Sequence, residues 1–314
     1  MTKVAVFIGD ELARYGFGHG HPFGLDRHDV FVNEFRRRGL DKKVSIQSPV
    51  MASEDQLLLF HTPEYLNEVK ARSKTGQGYL DCGDTPAFAG VYEAAATVVG
   101  TTLAAVDVVL TGGAQRAFIP IAGLHHARRD VAAGFCVFND CGVAIEALRQ
   151  QHGIRKVAYV DIDAHHGDGV FYEFESDPDL AIVDFHEDGR FLYPGTGAIE
   201  ETGKGAAKGT KLNIPMPPDA GDALFKKLWD QAEAFIENAA PEFILLQCGA
   251  DSIRGDPITH LGYTCEVHAF TAMRLSQLAD RICAGRLVAM GGGGYNRDNL
   301  ATAWCAVVNA MIEA

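Results

Sequence analysis

The chain has 314 residues, 47% of them hydrophobic and 22% charged, with a formal net charge of −13 and an isoelectric point near 5.3. This allows a sizeable core in a single domain, 1–314, and no linker, internal repeat or low-complexity stretch divides it. It gives no global basic field to hold a polyanion, so nucleic acid is not expected as a direct ligand, whereas an acidic exterior tolerates cationic substrates such as lysine side chains or polyamines.

The seven cysteines are odd in number, lack CxxC spacing and sit mostly in apolar contexts, so they read as buried thiols. The N-terminus enters a strand directly without the pattern of a signal peptide, and no apolar run is expected to approach the length of a membrane span. A cytoplasmic, reducing location away from membranes is the expectation.

Val4 to Ile8 reads as the first strand, leading into RYGFGHGHPFGLDRH, a Gly- and aromatic-rich loop too long for a simple turn. The irregular Gly/Pro surroundings of His19, His21 and His28 make them rim or turn residues rather than metal ligands. A helical pattern runs from Arg27 through Arg38, stopped by Gly39. Ser53 to Gln56 is a capping box and Thr62-Pro63 an N-cap with proline behind it, so two short helices follow. Phe88 to Leu110, rich in Ala and Val and closed by Gly112-Gly113, is a long, mostly buried helix. Asp84, just before it, reads from local pattern as a capping or turn aspartate.

Ala117 to Pro120 is a strand that opens onto GLHHARRDVAAGFCVFND, delivering His125 and His126 ahead of a helix from about Val143 to Gln150. The organising stretch is KVAYVDIDAHHGDG, Lys156 to Gly169. Its apolar run Val157 to Val160 does not alternate, as expected of a strand covered on both faces of a parallel sheet. Ligands bind beyond the carboxyl ends of such strands, and there Asp161, Asp163, His165, His166 and Asp168 follow within eight residues. Asp163 and His165, two apart, point the same way in an extended segment, as a shared metal requires. Asp161 has the same parity and could orient an imidazole from behind.

Leu180 to Phe185 is a strand leading to HEDGRFLYPGTG, and Thr210 to Pro215 is extended near a sheet edge. A helix over Asp219 to Ala239 precedes the buried strand Phe243 to Gln247, which ends in CGADSIRGDP with Asp251 at its carboxyl end. Cys265 to Ala284 is a helix and Leu287 to Met290 the last strand; GGGGYN is its exit loop, with Asp298 or Asn299 capping the terminal helix. This alternation predicts an α/β fold, an open, mainly parallel sheet with helices on both faces.

The strand ends together supply the parts of a metal hydrolase. Asp163, His165 and Asp251 furnish three ligands and leave positions open for water and a substrate carbonyl. His126 can take a proton from that water and return one to the leaving amine, and Tyr295 can donate to the developing oxyanion. The tetraglycine is not a phosphate loop, for the Walker lysine is missing and GGGGYN does not fit GxGxxG; no GxSxG elbow marks a serine hydrolase.

The motifs GLHHARRD, GFCVFND, YVDIDAHHGDGV, FLYPGTG, CGADSIRGDP and MGGGGYN, in this order, resemble those of the histone deacetylase superfamily. That superfamily includes bacterial acetoin-utilisation proteins and acetylpolyamine amidohydrolases. The resemblance runs from about Gly18 to the C-terminus and implies an arginase/deacetylase-like fold. It makes Asp163, His165 and Asp251 the zinc ligands, with iron(II) also suited to this hard ligand set. Tyr295 becomes the carbonyl-polarising residue, and His125 and His126 pair with Asp161 and Asp168 respectively, His126 being the general base. Phe135 and Tyr193 wall a narrow tunnel, with Gly134, Ile258 and Gly293 as further substrate-binding positions. Asp84 becomes a rim aspartate gripping substrate amides. Arg27 lines an internal acetate pocket, and potassium binds structurally through the backbone around Asp161 to His165.

Several residues depart from the family pattern. Tyr193 stands where phenylalanine is frequent, Leu124 where larger residues occur, and Asp184 where serine is common near the potassium site. Ile258 replaces the acidic gatekeeper of some polyamine-selective relatives, and the length leaves little room for a large dimerising insertion. Binuclear arginase-like sites carry carboxylates where this chain has Gly167 and Ile253, so one catalytic metal per chain is expected. The resulting expectation is a zinc-dependent amidohydrolase of N-acyl, principally N-acetyl, lysine side chains in a protein or peptide. The alternatives are an acetylpolyamine or other small N-acyl-amine deacetylase and, from another class, a non-catalytic acyl-lysine binder.

Overall fold

The computed structural model describes residues 2–18 and 20–314. The elements run β1 (Thr2–Phe7), α1 (Asp10–Ala13), α2 (Arg27–Arg37), β2 (Ser45–Gln47), α3 (Glu54–Leu57), α4 (Pro63–Thr75), α5 (Val91–Leu110), β3 (Ala114–Ile119), α6 (Asp140–Gln150) and β4 (Val157–Asp161). There follow α7 (Asp168–Phe171), β5 (Leu180–Glu187), β6 (Lys211–Met216), α8 (Asp222–Ala239), β7 (Phe243–Gln247), α9 (Cys265–Ile282), β8 (Leu287–Met290) and α10 (Arg297–Glu313).

All eight strands are parallel, in the order β2-β1-β3-β8-β7-β4-β5-β6. The four central strands β3, β8, β7 and β4 come from distant parts of the chain. The sheet therefore gathers at one edge the loops that follow Ile119, Met290, Gln247 and Asp161. Every residue of β4, β5, β7 and β8 is buried, as a strand covered on both faces must be. One helix group, α2, α8, α9 and α10, packs against itself, and another joins α4, α5 and α6. The expected edge strand is β6, where Pro215 does no harm to the ladder.

Local signals explain most boundaries. Ser53 and Gln56 form the expected capping box, Thr62 accepts from the Tyr65 N–H ahead of Pro63, and Gly39 takes a left-handed φ of 67° after α2. Other boundaries differ from expectation. Asn296, not Asp298 or Asn299, caps α10, accepting from both of those N–H groups. Helix α6 starts at Asp140, capped by Asn139, and α8 starts at Asp222 because Asp219 has φ 63°. Strand β2 has no apolar run to announce it. Helix α5 corrects the reading of membrane spans: it is 20 residues long and an 18-residue window of it, with mean hydropathy 1.6, is apolar enough for one, yet 72% of that window is buried within the fold. It is a core helix, packed on α6, β3 and β8.

Candidate active site

The predicted site residues converge at the carboxyl edge of the central strands. Strand β4 ends at Asp161, so Asp163 and His165 lie in a bend rather than the extended segment expected, but they still face one another. His165 Nδ1 is 3.1 Å from Asp163 Oδ1 and 3.1 Å from Asp251 Oδ2, all three residues being buried. Among the described residues they form one group with ligand atoms mutually within 4.8 Å, able to hold a metal ion.

The surroundings are shaped for that group. Gly293 donates its N–H to Asp163 Oδ2 at 2.9 Å, and a Cβ there would lie 2.9 Å from that oxygen, so only glycine brings the backbone this close. Gln247 donates to Asp163 Oδ2 at 2.8 Å, and the Ala164 N–H to Asp251 Oδ1 at 2.9 Å. The carboxylates are thus oriented by neutral donors, and their negative charge is left for a cation.

The two histidines beside this group are alike in geometry and opposite in electrostatics. His125 Nδ1 is 2.8 Å from Asp161 Oδ2, and His126 Nδ1 is 2.7 Å from Asp168 Oδ1. Burial disfavours the His125 cation, but the Asp161 and Asp163 charges outweigh it and hold its pKa up to about 9. At His126 burial, then the His125 charge, wins against Asp168 and pulls the pKa down to about 4. Burial also works against the Asp168 charge, but the His126 hydrogen bond keeps its pKa below the ordinary value. The two imidazoles are thus pushed in opposite directions, a split typical of acid–base sites.

Aromatic rings stand around His126 and Tyr295. Tyr193, 46% exposed, stands edge-on to His126 at 5.2 Å and 6.4 Å from the His165 ring. Phe135 meets Tyr295 at 5.8 Å and His21 at 4.5 Å. Phe135 has φ 67°, held by Tyr15, which donates to its carbonyl at 2.7 Å, and by Thr85, which accepts its N–H at 3.1 Å. Gly134, φ 54°, packs its Cα side onto the His126 ring. Tyr295 keeps its hydroxyl proton, since burial and the Asp251 charge raise its pKa well above the ordinary value.

At the rim, Asp84 is exposed, and burial of its carboxyl together with Asp81 pushes its pKa up to about 7. His21 bridges to the Asp84 carbonyl at 3.0 Å, as a rim residue should, and His28 accepts the Gly9 N–H at 3.2 Å as a turn residue. His19 lies outside the described residues. Ile258 is half-buried on the loop after Asp251. Arg27 is fully buried and holds the glycine run, donating Nε to the Gly294 carbonyl and Nη2 to that of Gly292; its Nη1 has no partner among the described residues. Asp184 points inward, bonding His186 Nδ1 at 2.7 Å and the Gly167 N–H at 2.9 Å.

Sequence reasoning passed over the residues that hold these loops. Asp140 accepts the Gly123 and Leu124 N–H groups and the Thr102 hydroxyl, fixing the turn before His125. Asp81 accepts N–H groups from Gly83, Asp84 and Thr85. Asp140 had a signal: Asn139 already caps α6, which leaves the carboxylate free for other work.

Comparison with known proteins identifies the family. The family model for the histone deacetylase domain matches residues 21–311. Acetoin utilization protein AcuC of Bacillus subtilis (strain 168) is 38% identical over 293 residues, 90% of this chain and 75% of that protein. AcuC of Staphylococcus aureus (strain MRSA252) is 30% identical over 324 residues, 100% of this chain and 82% of that protein. The crystal structure of the HDA15 HD domain matches with a TM-score of 0.92 at 25% identity, over 100% of this chain and 90% of that one. With nearly its whole length matched by that model and its strand-end residues gathered into one buried site, the chain belongs to the histone deacetylase family of hydrolases.

Proposed function

We propose that the protein is a zinc-dependent deacylase that hydrolyses the amide of N-acetyl-lysine side chains in a protein or peptide. The supporting observation is a buried group of two carboxylates and one imidazole flanked by two His–Asp pairs, His125 with Asp161 and His126 with Asp168. Zinc fits this donor set, and iron(II) suits it as well. A bound ion would supply Lewis-acid chemistry, polarising the substrate carbonyl and acidifying a water.

The protein's own groups perform the rest. His126, neutral and held through Nδ1 by Asp168, receives the water proton at Nε2 and passes it to the departing amine. His125, charged and held by Asp161, stabilises negative charge without moving its proton. Tyr295 donates its retained hydroxyl proton as a hydrogen bond to the carbonyl oxygen as it gains charge. Phe135 and Tyr193 wall the path of the acyl-amine chain, and Asp84 accepts substrate backbone N–H groups at the rim. The free buried Nη1 of Arg27 gives the released acetate a cationic partner. Potassium would sit by the backbone of Asp161 to His165, where Asp184 adds a buried carboxylate. Seven unpaired cysteines support a reducing, cytoplasmic setting.

The test is kcat/KM of zinc-loaded protein for an acetyl-lysine peptide beside N-acetylputrescine. Preference for the peptide is expected, because the aliphatic Ile258 offers no charge to a second amine. Preference for the polyamine would overturn the substrate assignment. Turnover of neither, with metal bound, would point to a longer acyl group or an unrelated amide. Tyr295→Phe should lose most activity and keep its metal.

A further inference from the structure

Tyr295 stands on an unusual support. Between the end of β8 at Met290 and the start of α10 at Arg297 the chain has six residues, four of them glycine, with φ 68° at Gly292 and 123° at Gly294. Such a segment has the most backbone freedom a chain can have. Its aromatic contacts, to Phe135 at 5.8 Å and Phe23 at 6.5 Å, are edge contacts that tolerate sliding. Something else has to set the height of the phenol above the metal group.

Besides Arg27, which holds the Gly294 carbonyl, two charged side chains from outside the glycine run grip the peptide units on either side of Tyr295. On the N–H side is Asp256, 7% exposed, whose Oδ2 accepts from Tyr295 at 2.8 Å and Asn296 at 3.4 Å while its Oδ1 accepts from Ile258 at 3.1 Å. On the carbonyl side, Arg297 donates Nη1 to the Tyr295 carbonyl at 3.0 Å and to that of Pro22 at 3.2 Å. Its remaining face makes a two-point pair with Asp26, Nε at 2.8 Å and Nη2 at 2.7 Å. A planar guanidinium engaged on both faces has little freedom left.

We propose that Asp256 and Arg297 are positioning residues for the reaction, fixing the Tyr295 hydroxyl through its own peptide groups and tying it to the ligand loop and the entrance loop. The inference rests on the role given to Tyr295 above. Asp256 lies five residues after Asp251, in a loop pinned by the Thr259 hydroxyl on the Asp251 carbonyl and by Glu187, which accepts the His260 N–H at 2.8 Å. The distance from phenol to metal group is thereby set by one short, braced segment. Arg297 couples the same phenol to Asp26 and Pro22, which flank Phe23 and lead into Arg27, the residue that holds the Gly292 and Gly294 carbonyls.

The experiment is a double-mutant cycle on the metal-loaded enzyme. Asp256→Asn keeps shape but leaves one acceptor oxygen for N–H groups that now use two; Arg297→Met keeps the stem and removes the clamp at a part-exposed position that tolerates it. Each is made alone and with Tyr295→Phe, and kcat, KM, metal content and melting temperature are measured. Misplacement of a reacting group by about 1 Å costs up to about 100-fold, so Asp256→Asn should lower kcat about 10- to 100-fold with KM and metal content little changed. Arg297→Met should lower it in the same way. In the Tyr295→Phe background neither should lower kcat further, because the hydroxyl they position is gone. Losses that multiply with that of Tyr295→Phe, or single variants with unchanged kcat, would overturn the proposal. Full turnover by Tyr295→Phe alone would instead overturn the role of Tyr295. Should Asp256→Asn fail to fold, the Arg297→Met arm of the cycle decides alone.

Discussion

Gly134→Ala tests whether His126 is the base more cleanly than replacing the histidine does, because it moves the ring without changing its chemistry. A Cβ built at residue 134 would lie 2.7 Å from His126 Cγ and 3.1 Å from its Cβ. The ring's Cδ2 lies closer still; ordinary carbon–carbon contact is about 3.5 Å, so the ring has to retreat by about 1 Å. His126 has no slack, since its Nδ1 is 2.7 Å from Asp168 and Tyr193 closes the other side. A 1 Å misplacement costs up to about 100-fold, so kcat should fall about 30- to 100-fold. Alanine at φ 54° adds about 1–2 kcal/mol of backbone strain, which in a chain this large should lower the melting temperature by about 2–8 °C. The assay is steady-state turnover of an acetyl-lysine peptide with metal content and melting curve on the same preparation. A variant that melts earlier, keeps its metal and retains kcat within about twofold would refute the placement of His126 at the reacting bond.

Three further outcomes follow from the same geometry. Asp84, with its pKa near 7, loses its charge as pH falls through that value; KM for a peptide should rise from pH 8 to pH 6, and Asp84→Asn should give a high KM flat over that range, whereas wild-type behaviour in the variant would remove Asp84 from substrate binding. His61 is buried, accepts the Asn139 N–H at 3.0 Å, and burial pulls its pKa down to about 3. A base depressed in the folded state is stabilising above its unfolded pKa of about 6.5, and that contribution fades as pH falls below it. At pH 5 this amounts to about 2 kcal/mol, so denaturant titrations at pH 7.5 and 5 should show a smaller pH effect in His61→Gln. Equal effects in both proteins would place the acid sensitivity elsewhere.

How far the sequence carried the reading differed by scale. Runs such as Val157 to Val160 and Phe243 to Gln247 announced buried parallel strands because two-sided burial forbids alternation, and they became β4 and β7. The group Asp163, His165 and Asp251 was legible because carboxylates and imidazole at strand ends have few structural uses. What escaped was the support: Asp140, Asp256, Gln247 and Arg297 each hold a backbone group or carboxylate distant in sequence, from 16 residues away for Asp140 and Leu124 to 275 for Arg297 and Pro22. A local pattern carries no trace of so distant a partner. Arg27 shows the converse. The family resemblance implied an anion site there, but two of its nitrogens serve the Gly292 and Gly294 carbonyls, and only Nη1 remains for a ligand.

The count of metal ions follows from what Gly167 and Ile253 are packed against. A Cβ at Gly167 would lie 2.8 Å from Asp161 Oδ2, 3.2 Å from His125 Nδ1 and 3.3 Å from Asp184 Oδ2. A carboxylate there would meet two buried carboxylates already committed to His125 and His186, and like charges that close cannot both persist ionised. Ile253 is buried and bridges to Tyr263, so its position serves the core. Neither position therefore supplies the extra carboxylate that a second transition ion beside Asp163, His165 and Asp251 would need. Elemental analysis of the purified enzyme should therefore give one transition ion per chain, and Asp251→Ala should abolish its retention. Gly167→Asp should not recruit a second ion but should disturb the Asp161–His125 pair and lower kcat. Two ions per chain in the wild type would mean that the carboxylate pair beside Gly167 is itself a metal site, and His125 would then lose the role of fixed cation.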